Sequence, residues 1–194
     1  LFFLIGCKPL SRISLGVKNP KFKNQIEVYN FAKKYDVKLA SIYYFTNWES
    51  MKNAFQLKYS KIPNAYFFNK NGDFVDYKKK SSDCNAKVDE FIENLENFSV
   101  YNSDSSKNIN QILPLIKNDK SDSIMQNDIT VIISWASFMG DVNKEKAFEW
   151  IKLLEKTKQK GIRLEYYLIN YDLQKSWNLT IQEEKEIESL FKMF

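Results

Sequence analysis

The chain has 194 residues, 44% of them hydrophobic and 15% aromatic, enough to bury a sizeable core in one large or two small domains. It contains no histidine and only two cysteines, Cys7 and Cys84, which excludes histidine-based triads and histidine-activated thiols and leaves too few ligands for a four-ligand structural zinc site. The formal net charge of +5 comes from lysine, with Arg12 and Arg163 the only arginines; nucleic acid is not expected as a partner, because arginine is the preferred residue for phosphate and base recognition.

In chain order, Leu1 to Cys7 form an apolar run too short to span a bilayer, which needs about 20 residues. Residues 12–17 alternate Ile13, Leu15 and Val17 with Ser14 and Gly16, the period of a strand. A loop with Asn19 and Pro20 leads to a helix over 24–35, whose stripe is Val28, Phe31, Ala32 and Tyr35. A strand is expected over 37–45 and a helix over 48–59, with Met51, Phe55 and Tyr59 spaced by four. Ile62-Pro63 precedes a strand at 65–68, the turn Asn69-Lys70-Asn71-Gly72, and a returning strand through Phe74, Val75 and Tyr77. A helix over 85–98 carries Val88, Phe91, Ile92, Leu95 and Phe98 on one face. Residues 99–127 read as a polar linker with a short helical turn at 109–116, broken by Pro114.

The continuous apolar run Ile129–Trp135 reads as a buried parallel strand. A helix over 143–160 places Ala147, Trp150, Ile151 and Leu154 inward and stops at Gly161. A strand over 163–170 and a helix over 180–194 follow, the latter with Thr180 and Glu183 as a capping box. Glu183, Glu184 and Glu186 beside Lys185, and the run Lys78-Lys79-Lys80, read as solvated surface.

Two resemblances follow from particular residues. Leu4-Ile5-Gly6-Cys7 resembles a lipobox, the acylation signal of bacterial lipoproteins. It implies that residues 1–7 are a signal remnant, that Cys7 carries lipid, and that the protein sits in the bacterial envelope, anchored in the membrane and facing the periplasm or exterior. The alternative is a buried first strand with an incidental cysteine. Cys84 stands before a helix, a position that can lower a thiol pKa, but no resolving partner stands near it in sequence. A Cys7–Cys84 disulfide is open if Cys7 is not acylated.

The order β-α-β-α-β-β-α over 8–98, with Lys61-Ile62-Pro63-Asn64 before a strand and an Asn-Gly turn, resembles a complete thioredoxin-like domain. The resemblance implies an α/β three-layer fold and a cis bond at Pro63, facing the redox site. A second stretch, Trp135-Ala136-Ser137-Phe138-Met139-Gly140-Asp141-Val142, resembles the W-A-x-W-C-G-x-C loop of the same family. It opens a partial second thioredoxin-like domain over 128–194 that has no proline, hairpin or final helix of its own. The chain is then either a fragment, or its half-domain packs on the first domain or on a second copy.

Both expected cysteine pairs are missing. Met139 and Val142 stand in one, and Asn19 and Phe22 of Asn19-Pro20-Lys21-Phe22 in the other. Thiol–disulfide exchange needs an attacking thiolate, which none of these supplies. No cofactor or metal is called for, and enzymatic activity is not expected. The resemblance implies instead a binding or scaffold module, with a groove for a protein or peptide at Ile62, Pro63, Phe138, Gly140 and Asp141. Asp141 and Asn143 also fit a simple helix cap, and Phe138 and Met139 simple packing. The alternatives are a thiol–disulfide oxidoreductase whose catalytic cysteines lie outside these residues, and a purely structural envelope module.

Overall fold

The computed structural model describes residues 15–38, 41–77, 87–118 and 127–192. Arg12, Cys7, Cys84 and Lys78-Lys79-Lys80 lie outside the described residues, and with them the lipidation and disulfide expectations. The first helix, α1 (Gln25–Lys33), starts at Asn24, whose side chain accepts from Glu27 N–H while the Glu27 carboxylate accepts from Asn24 N–H, both at 2.8 Å. Strand β1 (Ile42–Phe45) leads into α2 (Trp48–Gln56), capped by the Asn47 side chain. Strands β2 (Asn64–Asn69) and β3 (Asp73–Val75) form a hairpin. Its turn closes on Gly72 at φ +80°, and the Asn69 carboxamide accepts from the Asn71 and Asp73 N–H groups.

Helix α3 (Val88–Glu93) tightens into a 3-10 turn over Leu95–Val100. Two further 3-10 turns, Ile109–Gln111 and Leu113–Leu115, stand in place of the one expected turn broken by Pro114; the interruption falls at Ile112, and Pro114 sits inside the second turn, near its start, where its missing N–H costs nothing. Strand β6 (Ile129–Trp135) runs into a short helix α4 (Asp141–Asn143). A π turn over Lys144–Phe148 and helix α5 (Glu149–Gln159) continue it. Gly161, at φ +91°, ends that helix before β7 (Leu164–Asn170). The last helix, α6 (Ile181–Lys192), starts from the expected box: Glu183 N–H donates to Thr180 Oγ1 and Thr180 N–H to Glu183 Oε2.

Two strands arise where the sequence reads as linker. β4 (Ser103–Asn108) pairs with β3, and β5 (Ile116–Lys117) pairs with β1. β4 is Ser-Asp-Ser-Ser-Lys-Asn and largely exposed; an edge strand wet on both faces needs no apolar alternation, only a neighbour's free backbone groups. Residues 15–17 are not a strand: Gly16 turns at φ +65°. Among the described residues, the strand expected over 37–45 appears as β1, and the helix expected over 85–98 as α3 and its 3-10 turn.

The seven strands of the described residues form one mixed sheet in the order β4-β3-β2-β6-β7-β1-β5. β6 pairs in parallel with β7, and β7 with β1; β2 pairs with β6 antiparallel, with Asn64 opposite Ser134 and Phe68 opposite Thr130. The sheet therefore crosses the stretch 99–127, since β6 and β7 lie between β2 and β1. The molecule is a mixed α/β fold with helices on both faces. Alternation along each strand feeds two cores: Ile42, Tyr44, Ala65 and Phe67 meet α1, α3 and α5, whereas Tyr43, Phe45, Tyr66 and Phe68 meet α2 and α6. Phe67 and Phe68 are both fully buried, each contributing about 2–3 kcal/mol relative to exposure.

Candidate functional site

The C-terminal end of β6 and the N-terminal end of β2 meet because the two strands are antiparallel. The Ile62–Pro63 bond is cis, as expected from the sequence, and Pro63 is buried. Ser134 secures this junction: its hydroxyl donates to Lys61 O at 2.6 Å and lies 3.3 Å from Asn64 O. Beneath it, Tyr171 donates its hydroxyl to Tyr59 O, and the Tyr59 and Tyr66 rings meet edge-on at 5.0 Å. Burial pushes the Tyr59 phenol up to about 12 and raises those of Tyr66 and Tyr171 as well, so all three are neutral hydroxyls at physiological pH.

After Trp135 the chain turns through Ser137–Met139, a single 3-10 turn, to Gly140. Buried polar groups hold this loop from below. Asp172 accepts from Ser137 N–H and Ser137 Oγ, each at 2.8 Å, and from the Asn170 amide at 2.8 Å. Gln174 donates to Asp172 O at 2.7 Å and to Asn170 Oδ1 at 3.3 Å. Asn143, fully buried, donates to Ala136 O at 2.8 Å and Gly140 O at 3.1 Å. Thus Asn143 ties the loop's carbonyls together rather than capping the helix, and neither it nor exposed Asp141 provides a side-chain cap. Asp141 places its charge in the first helical turn, where the dipole favours it. Burial raises the Asp172 carboxyl above its ordinary value, against the pull of its hydrogen bonds to Asn170 and Ser137.

The chain's own N-terminal segment covers the other side of the loop. Lys18 N–H donates to Phe138 O at 2.7 Å, and Asp141 N–H donates to Leu15 O at 2.9 Å. Gly140, at φ +53°, is pressed against this segment: a Cβ there would stand 2.3 Å from Gly16 O. No side chain fits. The segment then runs to Leu173 and Lys175, where Lys23 N–H donates to Leu173 O and Lys175 N–H to Lys23 O, both at 2.8 Å.

The predicted site residues separate into two groups. Ile62, Phe138 and Met139 pack half-buried against one apolar cluster, close to buried Pro63, with Gly140 and Asp141 next in chain. Val142 is half-buried at the helix start. Asn19 and Phe22 are exposed on the covering segment. Sequence reasoning missed Ser134, Ser137, Asn170, Asp172 and Gln174. The alternation Asn170-x-Asp172-x-Gln174 just past an apolar strand was the available signal. Among the described residues no group of three or more Asp, Glu, Cys or His could hold a metal ion.

Compared with protein-family models, curated proteins and solved structures, the chain matches none of them.

Proposed function

We propose that this chain is a thioredoxin-like binding or scaffold module of the bacterial envelope, without redox activity. The observation that carries the proposal is the juxtaposition of the loop after β6 with the Ile62-Pro63 start of β2, with Met139 and Val142 where an active relative would need cysteines. The parallel β6–helix–β7 unit beside the antiparallel β2–β3 hairpin supports the thioredoxin-like reading. Exchange chemistry needs a thiolate at the loop, and Met139 and Val142 have none to give. The backbone at Phe138 and Asp141 is already paired with Leu15 and Lys18. A partner is therefore received through the half-buried side chains of Ile62, Phe138 and Met139, not through that loop's main chain. Met suits such a contact, being flexible and polarisable. The lipid anchor at Cys7 and the envelope location belong to the same proposal; among the described residues no helix is long and apolar enough to cross a membrane.

The test is selection from a random peptide library, followed by an insulin-reduction assay. Selected peptides are expected to bind Cys84→Ser as well as the unaltered chain and to lose roughly tenfold or more in affinity for Met139→Lys, which sets a charge in an apolar contact. No insulin reduction is expected. Reduction that depends on Cys84 would overturn the proposal in favour of an oxidoreductase.

A further inference from the structure

We infer that the face built by residues 15–38 docks on an anionic lipid bilayer. This contact is additional to any lipid on Cys7 and independent of the peptide groove. Within this stretch stand Lys18, Lys21, Lys23, Lys33, Lys34 and Lys38 against only Glu27 and Asp36, so it holds most of the excess positive charge of the whole chain. All of these lysines are exposed except Lys23, which is half-buried. Glu27, the single acid on α1, is met by Lys175 Nζ at 2.9 Å, so its charge does not offset the lysines.

The outward ridge of α1 is Ile26, Asn30, Lys33 and Lys34, at the spacing of one helix face, and Phe22 precedes it by one further turn's worth of residues. Ile26 is 70% exposed and Phe22 38% exposed. Large apolar side chains standing out among lysines are the composition of a surface that settles into the headgroup region. The last helix has the opposite sign. α6, packed on the other sheet face, carries Glu183, Glu184, Glu186 and Glu188 against Lys185 and Lys192. This charge distribution favours one orientation at a negative surface, residues 15–38 inward and α6 out.

The lysines are strung along a segment and a helix rather than drawn around one point. None of them lines the cleft at Tyr77, Phe91 and Tyr101 or the one at Lys70, Leu95 and Arg163. That arrangement suits a delocalised anionic surface, not a discrete phosphate. The stretch holds no arginine, which argues against a nucleic-acid strand as the occupant.

The experiment is vesicle co-sedimentation with unacylated Cys7→Ser chain, so that its failure and failure of the anchor are read separately. The vesicles are phosphatidylcholine alone or mixed with phosphatidylglycerol. Binding is expected to the mixed vesicles, and to fall with added salt. The triple variant Lys18→Gln, Lys21→Gln, Lys33→Gln should lose roughly tenfold or more in affinity, and Phe22→Ser with Ile26→Ser roughly threefold. A control triple, Lys117→Gln, Lys156→Gln, Lys160→Gln, removes the same charge from exposed positions elsewhere and should bind like the unaltered chain. Equal binding to both kinds of vesicle, or equal loss in the two triple variants, overturns the inference. So does binding to an acidic protein, such as a polyglutamate-tagged carrier, with no binding to the mixed vesicles.

Discussion

Loop 137–140 and segment 19–22 are held in opposite ways. The loop stands on a buried carboxylate and three buried carboxamides, and its glycine is pressed against another stretch of backbone. Segment 19–22 has Asn19, Lys21 and Phe22 in solvent, and is pinned only where Lys18 and Lys23 pair at its ends. A loop fixed by buried polar groups keeps its shape without a disulfide, because each buried donor or acceptor that lost its partner would cost free energy. The exposed segment has no such internal support. Its path is imposed by the surface beneath it.

Substitutions at these two places should separate accordingly. The largest effect is expected at Gly140→Ala, which combines positive φ with a Cβ 2.3 Å from Gly16 O; a loss on the order of 3 kcal/mol should appear as a lowered urea midpoint. An unchanged midpoint would mean that residues 15–18 do not press on the loop. Asp172→Ala comes next. It strips the acceptor from Ser137 and Asn170 and should cost about 2 kcal/mol by the same measurement. Its ionisation adds a pH signature. The Asp172 carboxyl is raised by burial, so the folded chain keeps that proton to higher pH than the unfolded chain does. The stability this proton confers is complete below the ordinary carboxylate range and drains away as pH climbs through the raised value. The midpoint of Asp172→Asn, measured relative to the unaltered chain, should accordingly improve from acidic to neutral pH. A gap that stays flat would mean the carboxyl is not raised. The smallest effect is expected at Asn19→Ala, within about 0.5 kcal/mol of the unaltered chain, as for exposed sites generally.

The elements that were legible in the sequence are those with a local cause. Asn24 and Thr180 begin helices because their side chains answer nearby N–H groups. Gly72 closes a hairpin, and the unbroken run Ile129–Trp135 is a central strand. What was not legible depends on partners distant in sequence. Nothing in Ile42–Phe45 says that its neighbour is β7 rather than a strand at 12–17, since an apolar strand pairs equally well with either. β4 was hidden because a polar edge strand has the composition of a linker. Of the site, Pro63 and residues 135–142 could be picked out because they carry a distinctive pattern. The carboxylate below them could not. Asp172 between Asn170 and Gln174 looks like an ordinary loop until the fold buries it.

The order of strands also sets the order of assembly. β1 and β2, both made early, never touch; β6 and β7 stand between them. Asn64 finds Ser134 seventy residues later, and the loop that must close to join them is among the slow steps of folding a mixed sheet. Until Leu164–Asn170 emerges, β1 lacks its parallel neighbour and the faces of Tyr44 and Phe67 lack their common core. A nascent chain therefore carries the aromatic-rich strand β1 and the β2–β3 hairpin unjoined through most of its synthesis, and its sheet is completed from the middle, last.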